Sequence, residues 1–413
     1  MMSYPIIDIY RAVSLQTIQP ALHFTSGDTG VKLFSNDGKS DRASNITKLE
    51  LKNRSATGIG VQREWKDCAW KPTLNEVPLD FPLERTRREI NDASVEEVVK
   101  RITNCLRLLS IEAKFDGENA KAKCKTSDMV GFRIRLFSGK SSNRDPIIVE
   151  IQKRSGSPFC FMRVCKKILD AAEGAEIEPE NLPARKRMPP CITNNPVANM
   201  KCLQNVNKQD PQEEVHVGIN KSLEMLRSKK KDVNVLGLEN LCFMTDPLKT
   251  RPDMAIIFCK AIIFGQHCTE IQEEIGVMLQ NDAFLPEEFE VHPHKELFDK
   301  CRHLALVLLS NVLTLTHQDG CLSDAIQNQK WFTEFLIPSL LDEVKSFEIS
   351  SNNAYEAACG LSSLASCSNL ARSVMHENSA IDDLKSANQF AVVNHNLLAS
   401  ETRTSLALLG HPI

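Results

Sequence analysis

The fold is decided by a run of short alternating segments, IEAKF-DGENA-KAKCK-TSDMV-GFRIRLF, which covers residues 111–137. In its last segment Phe132, Ile134 and Leu136 alternate with arginines, and in its middle segment lysines alternate with alanine and cysteine. A period of two places alternate side chains on opposite faces of a β-strand. Asp116-Gly117 is a turn signal between the first two segments. We therefore predict three adjacent strands, each with an apolar side and a charged side.

The flanking residues complete a small α+β module. Ser94 and Glu97 form a capping box in front of a helical stripe of apolar residues. Beyond the quoted run, residues 147–152 alternate as a fourth strand, and a second helix opens with Pro158 at its tolerated first position. The predicted module is a helix, four antiparallel strands and a helix within residues 91–174.

Three further regions surround this module. Residues 1–90 lack sustained periodicity and are predicted to be largely disordered. Residues 175–215 form a proline-rich linker. From residue 216 to residue 413 every strong segment has the helical period, which predicts stacked helical pairs. The predicted helices cover residues 216–228, 232–245, 252–264, 267–280, 293–316, 321–329, 331–348, 353–367, 369–377, 380–391 and 399–409.

The charge of the chain is divided between these parts. The whole chain has a formal net charge of −3. Residues 91–171 contain 16 Lys and Arg against 10 Asp and Glu, whereas residues 215–413 contain 16 against 25. A basic module is therefore joined to an acidic helical region, and such an asymmetry indicates binding to a charged partner.

Most basic residues of the predicted sheet fall on one face. They are Lys114, Lys121, Lys123, Lys125, Arg133 and Arg135. This face is open to four interpretations: an ordinary solvated surface, a platform for acidic phospholipid headgroups, a nucleic-acid surface, or a docking surface for an acidic protein or for the acidic helical domain of the same chain. Nucleic acid is disfavoured because the face lacks the aromatic residues that stack on bases. The sequence does not choose among the other three.

Residues 94–172 resemble the kinase-associated 1 (KA1) domain in the order of their elements and most clearly in their last third. The resemblance lies in the strand IIVEIQ at 147–152, the turn KRSG at 153–156, and a following helix that carries Phe159 and Phe161. That family binds acidic phospholipids through basic surface residues and takes part in autoinhibition, usually behind a protein kinase whose motifs are absent from this sequence. The resemblance implies anionic-ligand contacts at Lys121, Lys123, Lys125, Arg133, Arg135, Lys153 and Arg154.

The helical region, residues 216–409, resembles an armadillo-type superhelix in its helix lengths and short turns. Domains of that type bind proteins along a groove. This resemblance implies a protein partner on the helical domain.

Known catalytic and metal-binding patterns do not account for the sequence. Ser138-Gly139-Lys140-Ser141 is similar to the end of a phosphate-binding loop, but the pattern requires glycine where Ile134 stands. Cys259, His267-Cys268 and His292-Pro293-His294 fit no standard zinc spacing, and the sequence has no Cys-x-x-Cys pair. We therefore predict no metal and no cofactor.

The sequence thus predicts a non-enzymatic scaffold or adaptor. Its 14 cysteines sit mostly in apolar helical patterns, and its N-terminus carries no secretory signal, so we expect reduced thiols in the cytoplasm. Lipid binding by the basic face would add peripheral attachment to a membrane. The alternative is an enzyme whose active site lies at the domain interface or within residues 1–90. A third possibility is lipid-controlled autoinhibition, in which the basic sheet docks on the acidic helices until lipid displaces it.

Overall fold

The structure is a computed structural model, in which the described residues belong to one compact unit, residues 64–413. The described residues are 70–78, 81–140, 146–177, 211–280 and 293–412. A small, mainly antiparallel sheet with two helices comes first, and an all-helical region follows. This order confirms the predicted α+β module and the helical region behind it. The predictions for residues 1–69 and for most of the linker lie outside the described residues.

Six strands form the sheet. They are β1 (Asn75–Glu76), β2 (Arg87–Ile90), β3 (Glu112–Asp116), β4 (Lys121–Lys125), β5 (Gly131–Ser138) and β6 (Ile147–Lys153). The order across the sheet is β2-β6-β5-β4-β3 with antiparallel neighbours, and β1 runs parallel to the end of β5. Strands β3 to β6 are the four predicted strands. Each is joined to the next along the chain, as expected for antiparallel neighbours with short connections.

Strands β1 and β2 were not predicted, because residues 1–90 were expected to be largely disordered. Strand β2 reads Arg-Arg-Glu-Ile, and of its residues only Ile90 is buried. Charged side chains are typical of an edge strand, where they discourage pairing with another chain. The same charges leave no alternating apolar pattern from which the strand could be recognised.

Two helices, α1 (Val95–Leu108) and α2 (Pro158–Glu173), cover one face of the sheet. The Oγ atom of Ser94 accepts a hydrogen bond from the backbone N–H of Glu97 at 3.2 Å, which satisfies a free donor at the start of α1. Gly174 ends α2 in the left-handed region at φ 107°, a conformation that glycine adopts readily.

The core of the module lies between these helices and the apolar side of the sheet. It combines the alternating residues of the quoted run with the helical stripes. It also includes Trp70, which stands outside every periodic segment of the sequence. Its largest fully buried members are Trp70, Ile102, Leu106, Ile134, Leu136, Ile151 and Ile168.

The helical region follows the predicted pattern closely. Its helices are α3 (Pro211–Leu226), α4 (Lys231–Met244), α5 (Pro252–Phe264), α6 (Cys268–Gln280), α7 (Pro293–Gln318), α8 (Leu322–Asn328), α9 (Ile337–Lys345), α10 (Ser351–Cys367), α11 (Asn369–Glu377), α12 (Ala380–Asn394) and α13 (Asn396–Leu408). Helix α3 starts five residues before the predicted position. Pro211, expected to belong to the linker, is its first residue, a position where the missing proline N–H costs nothing.

A π-helical segment, Phe332–Leu336, precedes α9 where one continuous helix was predicted. The backbone N–H of Ile337 donates to the carbonyl of Phe332, five residues earlier. Pro338 follows and has no N–H to continue the α-helical ladder, which favours a wider turn at this point.

Helix α10 lies at the centre of the helical core. All of residues 351–365 except Asn353 are buried, and most are small. At Gly360 a Cβ atom would lie 3.1 Å from side-chain carbons of Leu313 and Leu340, which shows how closely α7 and α9 approach it. The N-terminal end of α10 faces the α+β module.

Candidate anion-binding face

The strand register brings the predicted basic residues together on the side of the sheet opposite α1 and α2. Lys123 of β4 pairs with Lys114 of β3 on one side and with Arg133 of β5 on the other. In the next row Lys121 pairs with Arg135. The residues between them in β4 and β5 are buried under the helices. We call the surface formed by Lys114, Lys121, Lys123, Lys125, Arg133 and Arg135 the basic face.

The middle of the basic face is accessible and lacks ion pairs. Lys114 and Lys123 are exposed, and Arg133 is half-buried. Within the described residues, no carboxylate forms an ion pair with any of these three. Like charges directly opposite each other destabilise an antiparallel pair, so this row lowers the stability of the sheet.

Arg133 is the most constrained of the basic residues. Its Nε atom is buried and has no hydrogen-bond partner among the described residues. Burial, together with repulsion from Arg154 and Arg135, lowers the pKa of the Arg133 guanidinium. An anion held on this face would supply an opposing charge to the guanidinium.

Carboxylates lie at the ends of the basic face. Asp116 forms an ion pair with Lys121 at 3.0 Å. The hydrogen bonds from Lys121 and Asn119 lower the pKa of Asp116 to about 2. Glu112 lies opposite Lys125 at the other end of β3, but its carboxylate is directed to the helical region.

A segment before β2 packs over β5 and β6, on the side of the sheet that carries the basic face. The ring of Phe81 lies 5.1 Å from the guanidinium carbon of Arg135 and 5.7 Å from the ring of Phe137. The backbone N–H of Glu84 donates to the buried carboxylate of Glu150 at 2.6 Å. Arg135 is therefore partly covered, and the accessible charge is concentrated on β3 and β4. No periodic signal in the sequence points to Phe81.

The two residues implied only by the KA1 resemblance lie at the end of β6. Arg154 is exposed and close enough to Arg133 to lower its pKa, so it adjoins the basic face. Lys153 pairs with Phe132, whose side chain is buried on the helix side of the sheet. The structure therefore does not bring Lys153 together with the basic face.

Hydrogen bonds join the module to the helical region through one end of the sheet. Nδ2 of Asn352 donates to the Glu112 carboxylate and to the carbonyl of Lys125, both at 3.2 Å. Nε2 of His303 donates to the carbonyl of Ser127 at 3.0 Å. Burial raises the pKa of Glu112, although its hydrogen bonds and the charge of Lys125 oppose this. We call these contacts the joint; Lys114 and Lys123 remain outside it. The prediction that the basic face itself docks on the helical domain stays a prediction.

His395 belongs to the same network. Its Nδ1 atom accepts a hydrogen bond from the backbone N–H of Leu398 at 3.1 Å, which fixes the proton of the neutral ring on Nε2. Nε2 then donates to Oδ1 of Asn352 at 3.2 Å. Burial lowers the pKa of His395 from 6.5 to about 4. Burial also lowers the pKa of His303.

We expect the joint to make stability depend on pH. The unfolded chain protonates His395 below about pH 6.5, whereas the folded chain resists protonation down to about pH 4. The stabilisation associated with the neutral His395 ring is therefore complete above pH 6.5 and is lost as the pH falls. The free energy of unfolding should decrease by on the order of 2 kcal/mol between pH 7 and pH 5. His303 acts in the same direction, and Glu112, with its raised pKa, acts in the opposite one. Urea unfolding at several pH values measures the slope.

The matched variant for this experiment is His395→Asn, since asparagine retains an acceptor for the Leu398 N–H. The free energy of unfolding of this variant should depend less on pH than that of the wild type. An equal slope in the variant and the wild type would contradict the assignment to His395.

The other candidate motifs do not form a catalytic or metal-binding arrangement in the part of the chain that the structure describes. Gly139 donates its N–H to the carbonyl of Pro146 at 2.7 Å, so β5 leads into a connection to β6 and not into the helix of a phosphate-binding loop. No group of three or more His, Cys, Asp and Glu side chains is placed to hold a metal ion within these residues. Burial raises the pKa of Cys105 to about 12, and it raises that of Cys259 as well. His292 lies outside the described residues.

No model of a known protein family, no curated protein and no solved structure matches this chain. Among the described helices, no single one is long and apolar enough to cross a membrane. Helices α5 and α6 meet that condition only as a pair, with a bend of 86° between them.

Proposed function

We propose that this protein is a non-enzymatic adaptor that binds anionic phospholipid surfaces through its basic face and a protein partner through its helical region. The observation that carries the proposal is the row Lys114, Lys123 and Arg133, in which like charges lie directly opposite each other and form no ion pair with a carboxylate of the described residues. A row of this kind lowers the stability of the sheet, and an anionic partner compensates for the repulsion.

A phospholipid surface is favoured over a single small anion by the shape of this site. The basic residues lie on a sheet surface and not in a cleft, and Lys114 and Lys123 are exposed. Such a surface suits many headgroups in one plane, each basic residue contributing about 1 kcal/mol near an anionic membrane. The KA1 resemblance of residues 94–172 supports the same ligand.

The proposal for the helical region rests on its charge and its surface. Residues 215–413 carry an excess of acidic residues, and large apolar side chains such as Leu248 and Ile349 are about 70% exposed. An armadillo-like groove that binds a basic and apolar segment of a partner is consistent with both features. Localisation follows from the two activities together: a cytoplasmic protein recruited to a membrane.

Sedimentation of the full chain with vesicles tests the phospholipid proposal. The wild type should sediment with vesicles of phosphatidylcholine and phosphatidylserine, but not with phosphatidylcholine alone, and added salt should release it. Replacing Lys114 and Lys123 by Gln should weaken binding about 30-fold, since two charges contribute about 2 kcal/mol. The same variant should be more stable than the wild type by about 0.5 kcal/mol, because the repulsion is removed.

The control variant replaces Lys330 and Lys385, exposed lysines of the helical region, by Gln and changes the net charge equally. It should bind vesicles like the wild type. Equal binding by the Lys114/Lys123 variant would show that the basic face is not the lipid contact. If the wild type bound poly-glutamate but no anionic vesicle, the ligand of the basic face would be an acidic protein surface and not a phospholipid.

A further inference from the structure

An exposed apolar tip lies at the start of α2, at the end of the sheet where β6 finishes. Phe159, in the first turn of α2, is 88% exposed, the highest value among the large apolar side chains in the described ranges. Met162, three residues later and on the same side of the helix, is 54% exposed. Single exposed apolar residues are common on protein surfaces, but two neighbouring ones form a small apolar patch.

Basic residues surround this tip. Lys153 and Arg154 precede it, and Arg163 and Lys166 lie on the exposed side of α2 four and seven residues after Phe159; all four are exposed. The first turn of α2 contains no acidic residue. The acidic residues of this helix, Asp170 and Glu173, lie at its far end, where Arg88 forms ion pairs with both.

The turn before α2 fixes the tip on the end of the sheet. Gly156 has φ 84°, and a Cβ atom there would lie 2.8 Å from the Cα atom of Val130. The backbone N–H of Arg154 donates to the carbonyl of Gly131 at 2.8 Å. The side chain of Arg154 donates to Oε1 of Gln152, which pairs with Arg133 of β5, so Arg154 lies between the tip and the edge of the basic face.

We propose that Phe159 and Met162 insert into the boundary between headgroups and acyl chains of an anionic bilayer, while Lys153, Arg154, Arg163 and Lys166 contact the lipid phosphates. This inference rests on the proposed function and extends it from charge attraction at a surface to insertion. An aromatic ring with cations around it suits this boundary, since the ring enters the apolar layer and the cations remain at the level of the headgroups. An acidic protein surface would match the cations but would leave the two apolar side chains without an apolar environment.

The test uses the full chain with Phe159→Ser and, as the matched control, Leu248→Ser. Leu248 is also highly exposed, at 71%, but belongs to the helical region. Binding to vesicles of phosphatidylcholine and phosphatidylserine should fall roughly 10- to 100-fold in the Phe159 variant and stay unchanged in the Leu248 variant. Circular dichroism should show both variants folded, because both side chains are largely exposed.

A second measurement detects insertion directly. In the variant Phe159→Trp, tryptophan emission should shift to shorter wavelength on vesicle binding and be quenched by brominated phosphatidylcholine, relative to the wild type. If Phe159→Ser bound vesicles as tightly as the wild type and the fluorescence of Phe159→Trp were not quenched, insertion would be ruled out. The basic face would then be the only lipid contact proposed. A wild type that fails to bind anionic vesicles would instead overturn the proposed function, which the Lys114/Lys123 experiment detects independently.

Discussion

Replacing Trp70 by alanine should lower the free energy of unfolding of the protein by about 3–5 kcal/mol. The Trp70 side chain is only 2% exposed and stacks on Phe115 of β3 with ring centroids 5.2 Å apart. The chain after it is bound to the β3–β4 turn, since the N–H of Thr73 donates to the carbonyl of Gly117 at 3.0 Å. Alanine would remove a large buried surface and leave a cavity that this rigid corner of the sheet cannot close.

Urea unfolding, followed by circular dichroism, measures the loss. Phe159→Ala is the matched control, because it also truncates an aromatic side chain but one that is 88% exposed. It should change stability by less than about 0.5 kcal/mol. If Trp70→Ala proved as stable as this control, residues 70–78 would not be part of the module, and its core would begin at β2.

Replacing Asn352 by leucine should destabilise the joint by about 3 kcal/mol. The Asn352 amide is 1% exposed and binds three groups, namely the Glu112 carboxylate, the Lys125 carbonyl and Nε2 of His395. Leucine has the same number and branching of side-chain non-hydrogen atoms but no polar atom, so all three partners would lose a hydrogen bond in a buried place. The carboxylate contributes most to the cost, because burial already raises its pKa.

Hydrogen–deuterium exchange locates this effect. Protection should fall at residues 110–112 and 125–127 and at the start of α10, while the centre of the sheet stays protected. Asn394→Ala is the control, because Asn394 is exposed and, among the described residues, its amide donates only to the carbonyl of Phe390 in its own helix, at 2.9 Å. Unchanged protection in Asn352→Leu would mean that the two parts are held together by other contacts.

The parts of the fold that could be predicted have a strong period in their sequence. In β4 and β5, Lys123 and Arg133 alternate with apolar residues, and this alternation was sufficient to place them on the same face before the register was known. The helices of the C-terminal region were predicted within a few residues for the same reason, since their apolar stripes are long.

The parts that could not be predicted depend on single residues or on backbone groups. Trp70 and Phe81 stand in short segments without a period, so their contacts with Phe115 and Arg135 arise only from the folded sheet. The joint was also missed, since Asn352 and His303 bind backbone carbonyls, which every residue possesses. Lys153 was a candidate through the KA1 resemblance alone, whereas the alternation of β6 places it with Ile147 and Ile151 on the other side of the sheet, as the register shows.

This use of backbone carbonyls has a consequence for the evolution of the protein. At Lys125 and Ser127 the helical region recognises the course of the chain and not the identity of the side chains. Substitutions at these two positions leave the acceptors in place. Related proteins can therefore acquire a different charge at this end of the sheet, and with it a different ligand, while the two parts of the molecule keep the same arrangement.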